Sequence, residues 1–499
     1  MSHVEGWALG REHVLRGLTR NKRLSSQDFN DDRLGCILDH MGEDDSWEKF
    51  ECSLNRDLIR VHALPSKEGT VRLDATIAQS FRPVGGVFQY GYSKQRRADL
   101  PQIKLMLSTL DPLGMPLTVQ VVAGNKADDE LYLPALAAAR RNVGLSGFMY
   151  VGDCKMGSIE VRHDISSHQD YYLVPLSLVQ CPEKQIREYL ALPEAKQVTL
   201  IEEQRASGEK RAKAKVFEVG TAVALCHNGL AWEERRVVAY SHAHAKSQIE
   251  SFDKRLEAAG KEINDLAQPK RGRKPLSSYE EFAAAAQTIM EKHRVEGFFE
   301  VRIKQTQNQS TQRKYRDRPE QTITQTTFAV QAEAQKQAIE EHKKVLGWRV
   351  YATNAPKEGL DPKQALELYW QEYQIEQRFH ELQNKVTALL PIFLQKPQRV
   401  IALVRLMIVA LKFSTLIQHQ VRELLKQNKQ TINELYPGNP GRKTAMPTTA
   451  LILSAFQGIA LVIHSDNTGN NNYVIANIEP KHNRLLALLG LDLTDFNGI

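Results

Sequence analysis

Three carboxylates stand in apolar company, where an acid needs a reason. Asp74 interrupts the run Val71-Arg72-Leu73-Asp74-Ala75-Thr76-Ile77, and Asp153 follows the short apolar run Phe148 to Gly152. Glu376 lies three residues from both Tyr373 and Phe379, on the apolar stripe of a helical stretch. A carboxylate facing a core is costly unless a metal ion or a basic partner compensates it. Each acid also has an ordinary reading: Glu376 at the edge of its stripe, Asp74 bonded to backbone amides at a strand end, Asp153 capping a helix. Together they supply hard oxygen donors that suit Mg²⁺ or Mn²⁺. Two such ions roughly 3.5–4 Å apart would activate an attacking oxygen and stabilise a leaving one in phosphoryl transfer. A Walker-type glycine loop is missing from the sequence, which disfavours nucleotide hydrolysis.

The elements around these acids decide whether they can meet. Residues 71–77 alternate apolar with polar, and Ile103–Leu110 and Leu117–Val122 are further apolar runs joined by Asp111-Pro112-Leu113-Gly114, a turn by its chemistry. A helix over 129–141, a short buried strand at Phe148–Gly152, a helix near Ser158–His163 and a strand at Tyr171–Val174 complete the order. Three strands that can form a meander, followed by helix-linked strands, suit a mixed sheet with helices on its faces. That is the order of the ribonuclease H-like α/β fold, with one acid on the first strand and a second at the end of the fourth. Asp361-Pro362 opens a helix predicted to run to about Lys385 and to carry Glu376.

The chain therefore divides into five expected regions. Residues 1–68 form a helical N-terminal region, 69–182 the first part of the catalytic core, and 183–352 a β-rich insertion domain with a basic linker. Residues 353–395 are the second part of the core with the Glu helix, and 396–499 a helical C-terminal region.

The 499 residues are 42% hydrophobic and 25% charged, an ordinary globular balance for two or three domains. A net charge of +7 permits a polyanionic partner without demanding one. Five scattered cysteines suggest reduced thiols of a cytosol rather than disulfides or a zinc site. Met1 to Arg20 lacks a signal-peptide pattern. The apolar run Val400–Phe413, interrupted by Arg405 and Lys412, is too short to span a bilayer and is expected as a buried helix, so no membrane partner is expected.

With these residues in view, the sequence resembles the DDE transposases of bacterial insertion sequences, and within them the "insertion sequence four" group, whose catalytic domain is split by a β-rich insertion. The resemblance covers about Asn30 to Gly490. It rests on Leu73-Asp74-Ala75-Thr76, Gly91-Tyr92-Ser93-Lys94, Asp99-Leu100-Pro101-Gln102, Gly124-Asn125-Lys126-Ala127-Asp128, Val151-Gly152-Asp153, and Tyr369 with Ile375-Glu376. It implies a ribonuclease H-like core and two Mg²⁺ (or Mn²⁺) ions held by Asp74, Asp153 and Glu376. It also implies cleavage and strand transfer at the ends of an insertion sequence. Double-stranded DNA, as terminal inverted repeats and target, would be the partner, bound by a homodimer in the bacterial cytoplasm. By the same resemblance Trp348 would stack on a flipped base and Tyr369 would touch a phosphate near the cut. A Trp packed in the insertion and a core tyrosine are the plain alternatives.

Two positions depart from the family pattern. Glu372 stands where Arg is expected four residues before the Glu, and Gln383 where Lys is expected seven after it. Those bases would hold DNA phosphate beside the metals, and Arg378, His380 or Lys385 are candidates to replace them. A catalytically impaired DNA-binding remnant, or a ribonuclease H-fold nuclease without strand transfer, is the alternative function. Among other features, Pro269–Pro275 reads as a basic linker or a minor-groove hook. Arg313-Lys314-Tyr315-Arg316 and Arg442-Lys443 are basic spots that could meet phosphates. His242 and His244 lack ligand-spaced partners, and Cys154 lacks a paired histidine base.

Overall fold

The computed structural model describes residues 3–65, 68–93, 97–204, 210–268, 276–312, 321–385, 389–390, 392–465 and 471–493. Helices α1 (Val4–Leu9), α2 (Glu12–Thr19), α3 (Asp31–Met41) and α4 (Asp44–Val61) open the chain. Asn30 caps α3, its side chain accepting from Arg33 N at 2.9 Å. Strands β1 (Thr70–Gln79), β2 (Gln102–Leu110) and β3 (Met115–Ala123) follow, then α5 (Tyr132–Val143), β4 (Met149–Gly152), α6 (Ile159–Ser167) and β5 (Tyr171–Pro175). The next block contains α7 (Glu183–Ala191), β6 (Thr199–Gln204), β7 (Lys210–Glu218), β8 (Val223–His227), β9 (Leu230–Ser241) and α8 (His242–Asn264). It continues through α9 (Tyr279–His293), β10 (Phe299–Gln312), β11 (Gln321–Ala334), α10 (Lys336–Lys343) and β12 (Trp348–Thr353). The remainder holds α11 (Pro362–Trp370), α12 (Tyr373–His380), α13 (Pro397–Gln427), α14 (Thr449–Ala455), β13 (Ala460–Ser465), β14 (Asn471–Ala476) and α15 (Pro480–Leu488).

The sheet runs β3-β2-β1-β4-β5-β12-β9-β7-β6, with β8 paired to β9. β1, β2 and β3 are antiparallel neighbours, whereas β1, β4 and β5 are parallel. This is the mixed order expected from the sequence: a meander, then strands returned by helices. Odd residues of β1 (Val71, Leu73, Ala75) pack under α5 with Leu136 and Ala139. On the other face Ala78 joins Ile103, Leu105 and Leu107 of β2 beneath Ile375, Phe379, Val404, Ile408 and Leu411. Asp74 has the parity of Ala78, so its side chain leaves the sheet on the face that α12 and α13 cover.

Strands of the block 183–352 continue this sheet beyond β5: β12 pairs antiparallel with both β5 and β9. α8, α9, the β10–β11 hairpin and α10 gather around a separate core (Phe252, Ala259, Ile263, Phe282, Ile289, Val330). The basic linker Pro269–Pro275 and the Arg313–Arg316 cluster lie outside the described residues.

Two expectations need correction. The helix predicted from Pro362 to Lys385 is broken at Gln371–Glu372, into α11 and α12, and ends in a π-helical turn over Glu381–Lys385. The C-terminal region carries a hairpin, β13–β14, among its helices. In addition, the apolar run at Val400 belongs to a 31-residue helix, long and apolar enough by length and composition to cross a membrane. Many of its apolar residues are buried inside the fold, Leu406 and Phe413 being exposed, and Lys412 within it is wholly buried against Asn55 and Leu117 O.

Candidate active site

β1 and β4 are parallel and in register through Leu73 and Gly152. Asp74 and Asp153 are the next residues on each chain, so they emerge side by side, both half-buried. Asp74 Oδ1 accepts from Ala75 N at 2.7 Å. Asp153 Oδ1 accepts from the Tyr132 hydroxyl at 2.7 Å and from Lys155 N at 2.8 Å. Its Oδ2 accepts no hydrogen bond from a described residue, and that leaves one oxygen facing outward. Asp153 does not cap the next helix, since Ser158 accepts from Val161 N and fills that role. Burial pushes the Tyr132 phenol well up, and the neighbouring Asp153 and Asp74 charges reinforce it, so it stays a donor.

The broken helix brings the other carboxylates. α11 lies over Val151, Leu173 and Tyr351 of β4, β5 and β12 through Ala365, Leu366 and Tyr369. α12 lies over β1 and β2 through Ile375 and Phe379. The junction at Gln371–Glu372 therefore sits above the β1–β4 boundary, from which Asp74 and Asp153 project. Arg72 fixes it there: its Nη2 donates to Leu368 O at 2.8 Å, while the guanidinium also pairs with buried Asp111 at 2.8 Å. At the far end Gln383 Nε2 donates to Ile77 O at 3.0 Å. Between these two ties the segment from Leu368 to Gln383 is interrupted at Gln371–Glu372 and ends in the π-helical turn. α12, which bears Glu376, thus runs over β1 and β2.

Glu376 is exposed, and so is Tyr373. The predicted apolar stripe through both is wrong because the break re-phases the helix, whose core face is Ile375, Phe379 and Leu382. Glu372 is half-buried at the start of α12. Burial pushes its carboxyl up, hydrogen bonding to Tyr369 pulls it down, and the Asp153 and Glu376 charges push it up again. Tyr369 is buried, its ring tilted against that of Tyr351 at 4.9 Å, and burial followed by the Glu372 charge raises its phenol strongly.

Arg378, expected at DNA phosphate, is turned inward instead. It is buried, donating to Glu381 at 2.5 Å and to Thr415 of α13 at 2.9 Å. Burial rather than an open surface governs it, and its guanidinium is lowered accordingly. Lys385 falls in the π-helical turn, with its side chain outside the described residues.

Beside Asp153 a cavity of about 320 Å³ opens between the ends of β4, β5 and β12, walled by Cys154, His244, Gln248, Trp348, Arg349 and Tyr369. Trp348 is half-buried, its ring 5.2 Å from Tyr240 and 6.0 Å from Phe217, so it both packs and lines the cavity. Sequence reasoning missed Tyr132, Arg72 and Arg349. Only the pairing of β1 with β4 and the crossing of α11 bring them here, and neither leaves a local signal.

The donor set, carboxylate oxygens beside a free Asp153 oxygen, fits a divalent cation. Among the described residues no three His, Cys, Asp or Glu side chains stand close enough together to hold one as they are. Asp74 and Asp153 emerge as neighbours, and Glu376 stands on α12.

A family model for the transposase DDE domain matches residues 65–411, a span from just before β1 into α13. No curated protein sequence matches the chain. Among solved structures, a cryo-EM structure of a piggyBac transposase synaptic complex with hairpin DNA is similar over 86% of this chain and 76% of that chain. Its identity is 11% and its TM-score 0.21, too low to carry an argument.

Proposed function

The chain belongs to the transposase DDE domain family, and from that premise we propose that it cuts DNA at the ends of a mobile element and joins those ends to new DNA. Asp74, Asp153 and Glu376 are its cation ligands in this reading. The observation that carries it is the in-register pair Asp74 and Asp153, which emerge beside α12, the helix that bears Glu376. Divalent ions, Mg²⁺ or Mn²⁺, would supply activation of the attacking oxygen and stabilisation of the leaving one.

The residues do the rest. Tyr132 and Lys155 N hold Asp153 by one oxygen and aim the other outward. Arg72 and Gln383 set the helix along β1. The cavity beside Asp153 offers Trp348 and Tyr369 as aromatic walls and Arg349 as a phosphate partner, suited to a base drawn out of its stack near the cut. Arg378 takes no part in DNA contact. Membership in the "insertion sequence four" group, a homodimer spanning both ends, and a cytoplasmic place of action complete the proposal. The five-region division is kept with it, except that β6, β7, β9 and β12 of its third region join the core sheet.

The test is cleavage and joining of labelled DNA carrying the element's own ends, with Mg²⁺ or Mn²⁺. Wild type should cut and join, while Asp74→Ala, Asp153→Ala and Glu376→Ala bind the ends but lose both steps by at least about a thousandfold. Cutting without joining would favour a nuclease. Binding without cutting would make the chain a DNA-binding remnant, a reading that Glu372 and Gln383 favour.

A further inference from the structure

We propose that the loop between β1 and β2 is a base-stacking platform for unpaired DNA leading away from the cut; this rests on the DNA-processing reading above. Three aromatic side chains of that loop stand in water: Phe81 is 77% exposed, Tyr90 55% and Tyr92 86%. Among the described residues no other aromatic ring packs on them, and neither tyrosine hydroxyl is hydrogen-bonded. One exposed apolar side chain is ordinary, but three aromatics within one loop form a patch that calls for a partner.

The backbone beneath the rings is firmly held. Gln89 exchanges two backbone hydrogen bonds with Gln102 of β2, at 3.1 and 3.0 Å. The Gln102 side chain donates to Tyr92 O at 3.1 Å and to Gly124 O at 3.0 Å. Gln79 Nε2, at the end of β1, donates to Ser93 Oγ at 2.9 Å. Between the two tyrosines, Gly91 passes so close to Gly124 O that any side chain there would collide with it. Phe88 anchors the loop in the core that α13 covers. The loop thus holds Tyr90 and Tyr92 outward on a fixed support.

A partner that offers flat π faces together with negative charge is nucleic acid. The charge of the loop fits it: residues 80–98 include Arg82, Lys94, Arg96 and Arg97 and no acid. Among the described residues Arg82 makes no ion pair, while Arg97 is held by Asp99. An apolar protein surface would leave these cations unanswered. Bases in a duplex are stacked on one another, so the rings require a strand with unpaired bases. The place is suitable. The loop leaves β1 at Ser80, beyond Asp74 and at the end of the sheet where Asp153 follows β4. At strand rise Ser80 is about 20 Å from Asp74, the length of about six stacked nucleotides.

The experiment measures, by fluorescence anisotropy, binding of the full chain to labelled oligothymidine of about 12 nucleotides. A duplex carrying the element's own ends is measured beside it. Wild type should bind the single strand, and Tyr90→Ala and Tyr92→Ala should each weaken it by about fivefold or more, with unchanged circular dichroism. Tyr90→Phe and Tyr92→Phe, which keep the ring, should bind as wild type does. Arg82→Gln should lower the salt dependence by about 0.7 in the logarithmic slope. Wild-type affinity in both alanine variants, or equal loss in the phenylalanine variants, overturns stacking by the loop. Wild type that binds the duplex ends but not oligothymidine also overturns it and leaves the DNA-processing reading intact. Binding to neither DNA overturns that reading itself.

Discussion

Tyr132 reaches Asp153 from the α5 side of the sheet, and the bond fixes which carboxylate oxygen is free. Tyr132→Phe should keep the fold and lower both Mn²⁺ affinity and cleavage by about tenfold or more, as loss of an outer-shell partner does. Unchanged affinity and rate would show that Asp153 is held without it. The places of Asp74 within a strand and of Asp153 just after one were readable from sequence, because local pattern sets them. The helical setting of Glu376 was readable but its exposure was not, since its phase follows the break at Gln371–Glu372, near which Arg72, far away in sequence, ties Leu368 O. Arg378 misled for a similar reason. Its partner Thr415 lies on a helix that the local pattern does not bring near.

Buried ionic ties hold the supporting elements. Arg72 and Asp111 are both nearly inaccessible, and burial pushes the Asp111 carboxyl up even with the guanidinium beside it. Arg72→Met would strand that carboxylate and release the end of α11, costing about 3–5 kcal/mol in urea unfolding. Arg72→Met combined with Asp111→Leu should recover a good part of the loss. If the single variant is as stable as wild type, the tie does not hold the helix. α13 is fixed by Lys412, whose ammonium is bonded to Asn55 and Leu117 O with Glu51 3.7 Å away. Burial lowers its pKa to about 8 and raises that of Glu51, so desolvation outweighs their attraction. Above pH 8 the folded amine is neutral, while the unfolded one keeps its proton until near 10.5, so stability rises with pH in that window. Relative to Lys412→Met, wild type should gain about 2 kcal/mol between pH 7.5 and 9.5. A flat difference would place the charge elsewhere. The sequence marked this helix as buried but could not show what its lysine meets, because Glu51 and Asn55 are on α4.

At the scale of the molecule, one sheet joins segments that look separate along the chain. The β-rich character of residues 183–352 was expected, but pairing of Tyr351 with Pro175 is a contact no local pattern contains. Since Tyr240 pairs with Trp348 across β9 and β12, the ends of the intervening excursion are neighbours. Replacing residues 241–347 by Asn-Gly should close a two-residue hairpin and leave a folded protein with cooperative thermal unfolding. Deleting 183–352 should instead give insoluble chain, because Val151, Leu173, Leu366 and Tyr369 lose the strands that cover them. Equal solubility of the two deletions, by size-exclusion chromatography, would contradict the continuous sheet.

α13 closes over the face formed by Ile103, Leu105 and Leu107, and it also grips α3 and α4 through Arg399 with Asp39 and Lys412 with Asn55. During synthesis that face leaves the ribosome long before its cover does. At roughly 5–20 residues per second, the greasy surface waits on the order of 15 to 60 s for Ile408 and Leu411. The newborn chain is therefore a natural client for chaperones. It also holds its two aspartates well before the helix bearing Glu376, so a ribosome that stalls early releases a protein with half a site.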